Sequence, residues 1–481
     1  MAAALGGDER LALLGLWADT QQVHALFLDE RAMAPLPASV PVVEGAFAAL
    51  SPARPAAAWF ERTIHDLWGH RAEGGTDLRP WIDHGRWEVT RPMAPRPVPA
   101  RGTPEPPEFL PVEGEDLNQV PVGPIHAGII EPGHFRFTCQ GETVVRLEVR
   151  LGYAHKGQMV LMRGKPPRVA ARYAARLSGD STVAHSIAFA RAVEAAVDVA
   201  APPRAEHLRA VMLEMERVAN HLGDVGAICN DAAFALALAR FGLHREAMLR
   251  AGQAAFGHRL MMDAVVPGGV AVDLAEGGAK AILSALAAAC AELPALQRTY
   301  DDHAGLVDRM VGTGVVSPAL VRRFAAGGVV GRASGRGFDA RSLMLPATAE
   351  GAGAAARPLE ALRLEVPVLQ EGDVDARVRI RLAEIEESAR LLRELLATVP
   401  EGKLTVALPP GSGEGIGVAE GFRGDIWHWL RLDGGLVAAC YPRDPSWLHW
   451  PLLEAAMRGN ILADFPLCNK SFNASYSGVD L

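Results

Sequence analysis

The sequence predicts an α+β protein: a small N-terminal unit, a proline-rich linker, and a mainly helical body with a small β portion. Three observations carry this. The 481 residues exceed one ordinary domain, so two or three units are expected. Residues 91–122 are dense in proline (Pro92, Pro95, Pro97, Pro99, Pro104, Pro106, Pro107, Pro111), the composition of an extended, semi-rigid linker. From Gly123 to the C-terminus, long stretches carry apolar residues at helical spacing.

The elements follow in order. Residues 1–90 mix short apolar runs with the stretch Trp59–Trp87. The run Leu11–Ala18 follows Asp8, Glu9 and Arg10 and lacks a basic lead-in, which argues against a signal peptide. Phe135–Phe137 and Val144–Val149 alternate as strands do. Leu208, Val211, Met212, Met215, Val218, Ala219 and Leu222 form one apolar stripe, predicting a helix over 206–222. Pro202 and Pro203 precede it and Gly223 offers a stop signal. A second helix is expected over 374–398, with Ile385, Ala389, Leu392 and Leu396 on one face. Residues 346–358 read as a flexible surface loop.

Composition narrows the function classes. Apolar residues make up 49% and charged residues 22%, which is globular. Net charge is −8 with the signs mixed, and no basic run stands out, so nucleic-acid binding has no electrostatic support. No segment reaches the ~18 uninterrupted apolar residues of a bilayer span. The longest candidate, Ser186–Ala201, is broken by Arg191, Glu194 and Asp198. A cytoplasmic chain is expected, reaching a membrane only through partners. The five cysteines (Cys139, Cys229, Cys290, Cys440, Cys468) form no C-x-x-C pair and read as reduced, small buried hydrophobes.

The chemistry-bearing motifs come as an ordered series. Trp59-Phe-Glu-Arg-Thr-Ile-His-Asp-Leu-Trp-Gly-His70, followed by Asp77-Leu-Arg-Pro80, opens it. Gly123-Pro-Ile-His-Ala-Gly-Ile-Ile-Glu-Pro-Gly-His-Phe-Arg-Phe137 comes next. Leu213-Glu-Met-Glu-Arg-Val-Ala-Asn-His-Leu-Gly-Asp224, Phe256-Gly-His-Arg-Leu260 and Val266-Pro-Gly-Gly-Val270 continue it. Glu420-Gly-Phe-Arg-Gly-Asp425 and Asp444-Pro-Ser-Trp-Leu-His-Trp-Pro451 complete it. This series resembles the large subunit of energy-converting, formate-hydrogenlyase-type [NiFe]-hydrogenases, that is, fused C-type and D-type subunits of complex I. An ordered series is far more specific than any one motif. The resemblance implies a docking α+β domain of complex I C-type over 1–90, without a redox centre. It implies a hydrogenase-large-subunit or D-type domain over 123–481.

The metal site is where the sequence departs. That family carries R-x-C-G-x-C-x-x-x-H. Here Arg176-Leu-Ser-Gly-Asp-Ser-Thr-Val-Ala-His185 keeps Arg176, Gly179 and His185, with Ser178 and Ser181 in the cysteine places. The second family motif, D-P-C-x-x-C, falls on Asn473-Ala-Ser-Tyr-Ser-Gly478, so that Ser475 and Gly478 replace the cysteines. Nickel and low-spin iron need soft, anionic thiolates. A serine hydroxyl is hard and neutral at pH 7, and glycine has no side-chain ligand. No metal bound by this chain is therefore expected. Cys468 is the nearest remaining thiol, and a lone cysteine is more often structural. The tyrosine and histidine that the family's quinone reductases use fall at Gly179 and near Ile130, neither of which can donate a proton.

The resemblance brings Glu131, His134, Ser178, Asp180, Ser181, His185, Asn473 and Ser475 together in one polar cavity, with Arg176 as a further candidate. The cavity is either a satisfied hydrogen-bond network or a pocket for another small molecule or a proton relay, with an oxygen-ligated divalent ion ranked lower because only Asp180 and Glu131 supply negative charge. Glu214 and Arg217 are either an ordinary surface pair or, by the resemblance, charges organising the core, and Glu420 and Arg423 are either a solvated loop pair or residues facing the cavity. By the resemblance, the chain is the peripheral-arm large subunit of a membrane-bound, complex-I-like oxidoreductase. It would act in electron transfer or in coupling to ion translocation. Quinone binding and NAD-linked electron transport belong to that resemblance. The implied partners are a small subunit carrying an iron–sulfur cluster and integral-membrane, ion-translocating subunits. A non-catalytic scaffold is the alternative, and active hydrogenase comes last.

Overall fold

The first two strands are runs of Leu, Val, Phe and Ala, buried on both faces, and the structure explains why both faces are apolar. The computed structural model describes residues 10–83, 85, 87–99, 107–114, 116–126, 130–343 and 362–481. Numbering the principal elements in chain order, β1 (Leu11–Ala18) pairs antiparallel with β2 (Gln22–Asp29), and β2 with β3 (Ala34–Pro41). Pro35, Pro37 and Pro41 lack the N–H that a further strand would need, so β3 is the sheet edge. Helix α1 (Ala57–Trp68) packs on β1. Trp17 of β1 also stacks on Tyr441 at 5.3 Å and packs against Trp429 at 5.5 Å, so the small domain shares its core with the body.

The motif on α1 turns inward. Glu61 accepts the Leu50 and Ser51 N–H groups, Asp66 accepts those of Trp81, Ile82 and Asp83, and Arg62 pairs with Asp77 at 3.1 Å. These side chains tie loops to the helix and form no solvated face. The described part of the proline-rich stretch lies along the body. Arg79 and Arg146 donate to the Glu108, Leu110 and Pro111 carbonyls. The stretch ends in β4 (Leu117–Val122), which pairs with β5 (His134–Gln140), itself paired with β6 (Thr143–Arg150).

The body is helical, as expected. It contains α2 (Thr182–Ala196), α3 (Pro203–Asp231), α4 (Ala235–Phe256), α5 (Gly278–Asp301) and α6 (Val374–Ala397). The expected stop at Gly223 is wrong: α3 runs eight residues beyond it. Gly223 and Gly226 instead let α4 approach. A Cβ on Gly223 would lie 2.6 Å from Arg245 Cδ, and one on Gly226 would lie 3.2 Å from Leu238 Cα. A C-terminal meander follows: β7 (Gly413–Gly421), β8 (Gly424–Asp433) and β9 (Leu436–Arg443). Gly413, Gly415 and Gly417 occupy one face of β7, where a Cβ would meet the Ala196, Ala192 and Ala188 carbonyls of α2 at 2.0–2.2 Å. That alternation seats α2 on the sheet. The chain closes with α7 (Ser446–Met457) and α8 (Phe465–Phe472).

Among the described residues one helix, α5, is long and apolar enough to cross a membrane by length and composition, and 22% of its apolar window is buried. The search for uninterrupted runs missed it because Lys280 and Glu292 break the sequence. The loop expected at 346–358 lies outside the described residues. All five cysteines are free thiols.

Candidate functional site: two degenerate motifs meet

The two departed motifs come together. Ser178 precedes a short 3-10 turn that leads into α2, and Ser475 follows α8. Asn473 ends α8 in the left-handed conformation, φ 48°, which turns the chain toward Ser475. Ser178 Oγ and Ser475 Oγ lie 2.9 Å apart, across 297 residues of sequence. Ser178 also donates to Asp180 at 2.9 Å, and the Gly478 N–H donates to Ser475 Oγ at 3.0 Å.

A guanidinium sits between the motifs. Arg423, at the β7–β8 turn, donates to both carboxylate oxygens of Asp180 at 2.7 and 2.6 Å and to Ser181 Oγ at 3.0 Å. Its Nε donates to the Asn473 carbonyl. Burial acts to raise the Asp180 pKa, but Arg423 and the Ser178 hydroxyl outweigh it and hold the carboxyl below its ordinary range. Deeper in, His185 Nε2 meets Asp444 at 3.1 Å and its Nδ1 meets His428 Nε2 at 3.1 Å. Asp444 also accepts the Ser446 N–H. Burial opposes its ionisation, yet His185, Arg423 and that N–H hold the carboxyl well below the usual range. Burial drives His428 far below the ordinary histidine value, so it is neutral.

The remaining candidates divide. Ser181, His185 and Ser475 are buried in the cluster. Glu131 is exposed at its rim, where it accepts the Ser477 N–H at 2.9 Å. Asn473 donates to Asp224 at 2.9 Å and accepts from Lys470 at 3.0 Å. His134 turns from the cluster: its Nδ1 lies 3.2 Å from the Gly123 carbonyl, and burial lowers its pKa. Arg176 also lies outside, in a bidentate surface pair with Asp263 at 2.7 and 2.8 Å. A long guanidinium reaches water from the end of the preceding helix more readily than it turns inward.

Sequence reasoning missed three participants. Asp444 and His428 complete the His185 chain, and Asp444 carried a signal as the first residue of the Asp444–Pro451 motif. Glu216 accepts the Val183 and Ala184 N–H groups at 2.7 and 3.1 Å, capping α2, and burial pushes its carboxyl up to about 8.

These residues do not fit a nickel–iron centre. Hydroxyls stand where thiolates would, and they bond to each other. A Cβ on Gly478 would lie 2.7 Å from Asp444 Cγ, so the fourth ligand's place is taken by a carboxylate that His185 and Ser446 hold fast. Cys468 packs against Gly314 and the Arg377 guanidinium, and burial pushes its thiol up to about 12, against thiolate formation. Among the described residues, no group of three or more His, Cys, Asp or Glu could hold a metal ion.

Comparison with known proteins follows the same lines. Residues 156–223 match the nickel-dependent hydrogenase family model, and 224–410 match that of the 49 kDa subunit of respiratory-chain NADH dehydrogenase. Formate hydrogenlyase subunit 5 of Escherichia coli K12 is 29% identical over 90% of this chain and 77% of its own length. Membrane-bound hydrogenase subunit alpha of Pyrococcus furiosus is 29% identical over 75% of this chain and 87% of its own. An NADH-quinone oxidoreductase chain of Roseiflexus sp. RS-1 is 27% identical over 75% and 98%. A chain of the membrane-bound sulfane sulfur reductase, an archaeal respiratory membrane complex, shares the fold with a TM-score of 0.69. It is 23% identical, with 77% of this chain and 100% of that one covered. From its N-terminal domain to its C-terminal motif, this chain resembles the large subunits of energy-converting [NiFe]-hydrogenases and of complex I, without the nickel–iron cysteines.

Proposed function

We propose that this chain is the large subunit of a membrane-bound, complex-I-like oxidoreductase assembly, and that it couples neighbouring subunits without a nickel–iron centre. The donor set carries the reading: Ser178 and Ser475 offer neutral hydroxyls bonded to each other where soft thiolates would be needed, and the Asp444 carboxylate fills the place beside Gly478. Asp444, His185 and His428 form a buried, hydrogen-bonded chain between three segments of the body, which suits coupling. In this reading the chain binds no metal of its own. A small subunit supplies the iron–sulfur cluster, integral-membrane subunits translocate the ion, and the chain lies on the cytoplasmic face. Metal analysis of the purified assembly tests it. Iron without stoichiometric nickel is expected, together with co-purifying membrane subunits. One nickel per assembly overturns it.

A second reading, reduction of a small acceptor at the rim, has one observation in its favour. A Cβ on Gly179 would meet nothing within 4 Å, and the Asp180 side chain is 39% exposed. Gly179→Phe would fill that opening. Electron transfer through the assembly stays unchanged if the chain only couples, and falls if the acceptor binds there.

A further inference from the structure

One stretch of the chain is basic without forming a continuous run. Between Glu148 and Asp180 there is no acidic residue, while Arg150, Lys156, Arg163, Lys165, Arg168, Arg172 and Arg176 all fall there, in a chain of net charge −8. Their spacing hid them, because no two are adjacent. All but Arg150 are exposed. Two short helices, Gln158–Met162 and Pro167–Ala174, and the turns flanking them present them, with Arg168 and Arg172 on the second helix. Ala170, Ala171 and Ala174 bury the underside of the second helix, which leaves Arg168, Val169 and Arg172 outward. The turn between the helices is clamped to β9. Gly164 N–H donates to the Val437 carbonyl at 2.7 Å, and Val437 N–H donates to that of Lys165 at 3.0 Å.

Among the described residues, Arg163, Lys165 and Arg168 make no ion pair, whereas Arg176 is committed to Asp263 and Lys156 to the Arg176 and Leu177 carbonyls. Val160, Leu161 and Val169 stand between them at 41%, 43% and 44% exposure. Fixed cations around exposed apolar side chains make a surface that binds by charge and by burial together. The ridge also runs into the rim of the candidate site through Arg176 and Ser178.

We infer that the ridge formed by residues 156–172 is the docking surface for an acidic face of another protein subunit. This rests on the reading of the chain as part of a multi-subunit assembly. An anionic bilayer fits less well. The partly or fully exposed carboxylates of Glu131, Asp180 and Asp263 border the ridge and repel phosphate headgroups, but they pair with the basic rim of a protein. Continuity with the site rim points the same way, since a subunit seated here also covers Asp180.

Lysine reactivity in the intact assembly tests the inference. Acetylation of Lys165 is compared with that of exposed Lys403, in the assembly and in the isolated chain. The expected result is at least tenfold protection of Lys165 in the assembly alone. A zero-length carbodiimide cross-link from Lys165 to an Asp or Glu of another subunit is also expected. The charge reversal K165E/R168E should leave the isolated chain's melting temperature unchanged but release that subunit. Equal reactivity of the two lysines in an intact assembly overturns the inference and leaves the proposed function standing. Protection that vanishes on delipidation, without a cross-link, overturns it in favour of lipid. A chain that purifies free of other subunits overturns both.

Discussion

Glu420 and Arg423 lie three residues apart, yet they serve two differently built regions. Arg423 goes to the candidate site, where it holds Asp180 beside serines and neutral His428. Glu420 goes to a buried ion network in the helical body. There Arg332 donates to Glu384 at 2.7 Å, to Glu420 at 2.9 Å and to Asp339 at 3.3 Å. Arg217 reaches Glu214 and Glu384 at 3.3 and 3.4 Å, and Arg341 joins Glu214 to Asp339 at 2.9 and 2.7 Å. Every one of these side chains is 4% exposed or less. The network ties α3, α6 and β7 together with charges that owe nothing to a metal. The frame therefore stands when the metal ligands are replaced, because what holds the helices lies outside the ligand set.

If that is right, the largest effect comes from the network. Arg332→Ala leaves Glu384, Glu420 and Asp339 buried and short of a cation. Breaking a buried ion group by removing one partner costs about 3–5 kcal/mol. Denaturant unfolding should show a loss of that size. A loss under ~1 kcal/mol would mean that the network is decoration and would erase the contrast between the regions.

One carboxyl of the network should respond to pH oppositely to those of the site. Burial, with the charge of Asp339, pushes the Glu420 carboxyl up to about 7. The folded state then keeps a proton that the unfolded chain releases above its ordinary carboxyl pKa. The contribution of Glu420 is full at low pH and declines as pH rises toward 7, by at most ~1.4 kcal/mol per pH unit for one proton, whereas Glu384, Asp339 and Glu214 are held below their ordinary values and lose theirs on acidification. At the site, Asp180 and Asp444 are held below their ordinary values, so their contribution is present at neutral pH and lost on acidification. Glu420→Gln should flatten the neutral limb of the stability profile and leave the acid limb intact. Flattening of the acid limb instead would falsify the assignment.

Much of this was legible in the sequence, for a definite reason. Periodicity found α3 and α6 because their buried stripes are long, and alternation found β5 and β6. The ordered motifs located Ser178 and Ser475, and the 2.9 Å contact supports the register at Ser475, which has few flanking anchors. Gly223 misled because a glycine that admits a neighbouring helix looks the same as one that ends its own. Asp444 and His428 were missed because each joins His185 from more than 240 residues away, with no local pattern to link them. Arg176 was placed inside on the strength of its motif, and only the geometry shows its reach to Asp263.

Within the site the effects should be smaller. The hydroxyls of Ser178 and Ser475 exchange one neutral hydrogen bond, whose net worth is about 1 kcal/mol. A double-mutant cycle with Ser178→Ala and Ser475→Ala should give a coupling of roughly 0.5–1.5 kcal/mol. No measurable coupling would mean that the two motifs adjoin without bonding, and would remove the hydrogen-bond network as what replaces the ligands.

The smallest effect marks the outer limit of the site. Arg176 keeps its place in the family motif, but its side chain and that of Asp263 are 44% and 36% exposed. Exposed pairs are worth about 0–1 kcal/mol because water and salt screen them and two long side chains must be ordered. Arg176→Ala should therefore shift unfolding by less than ~1 kcal/mol, and about 0.5 M salt should erase the shift. It should also leave the acid limb assigned to Asp180 and Asp444 unchanged, since Arg423 rather than Arg176 holds Asp180. A salt-resistant loss of several kcal/mol would place Arg176 inside the cluster after all. The boundary between frame and site would then have to be drawn one residue type wider, with a cation from the first motif facing the serines.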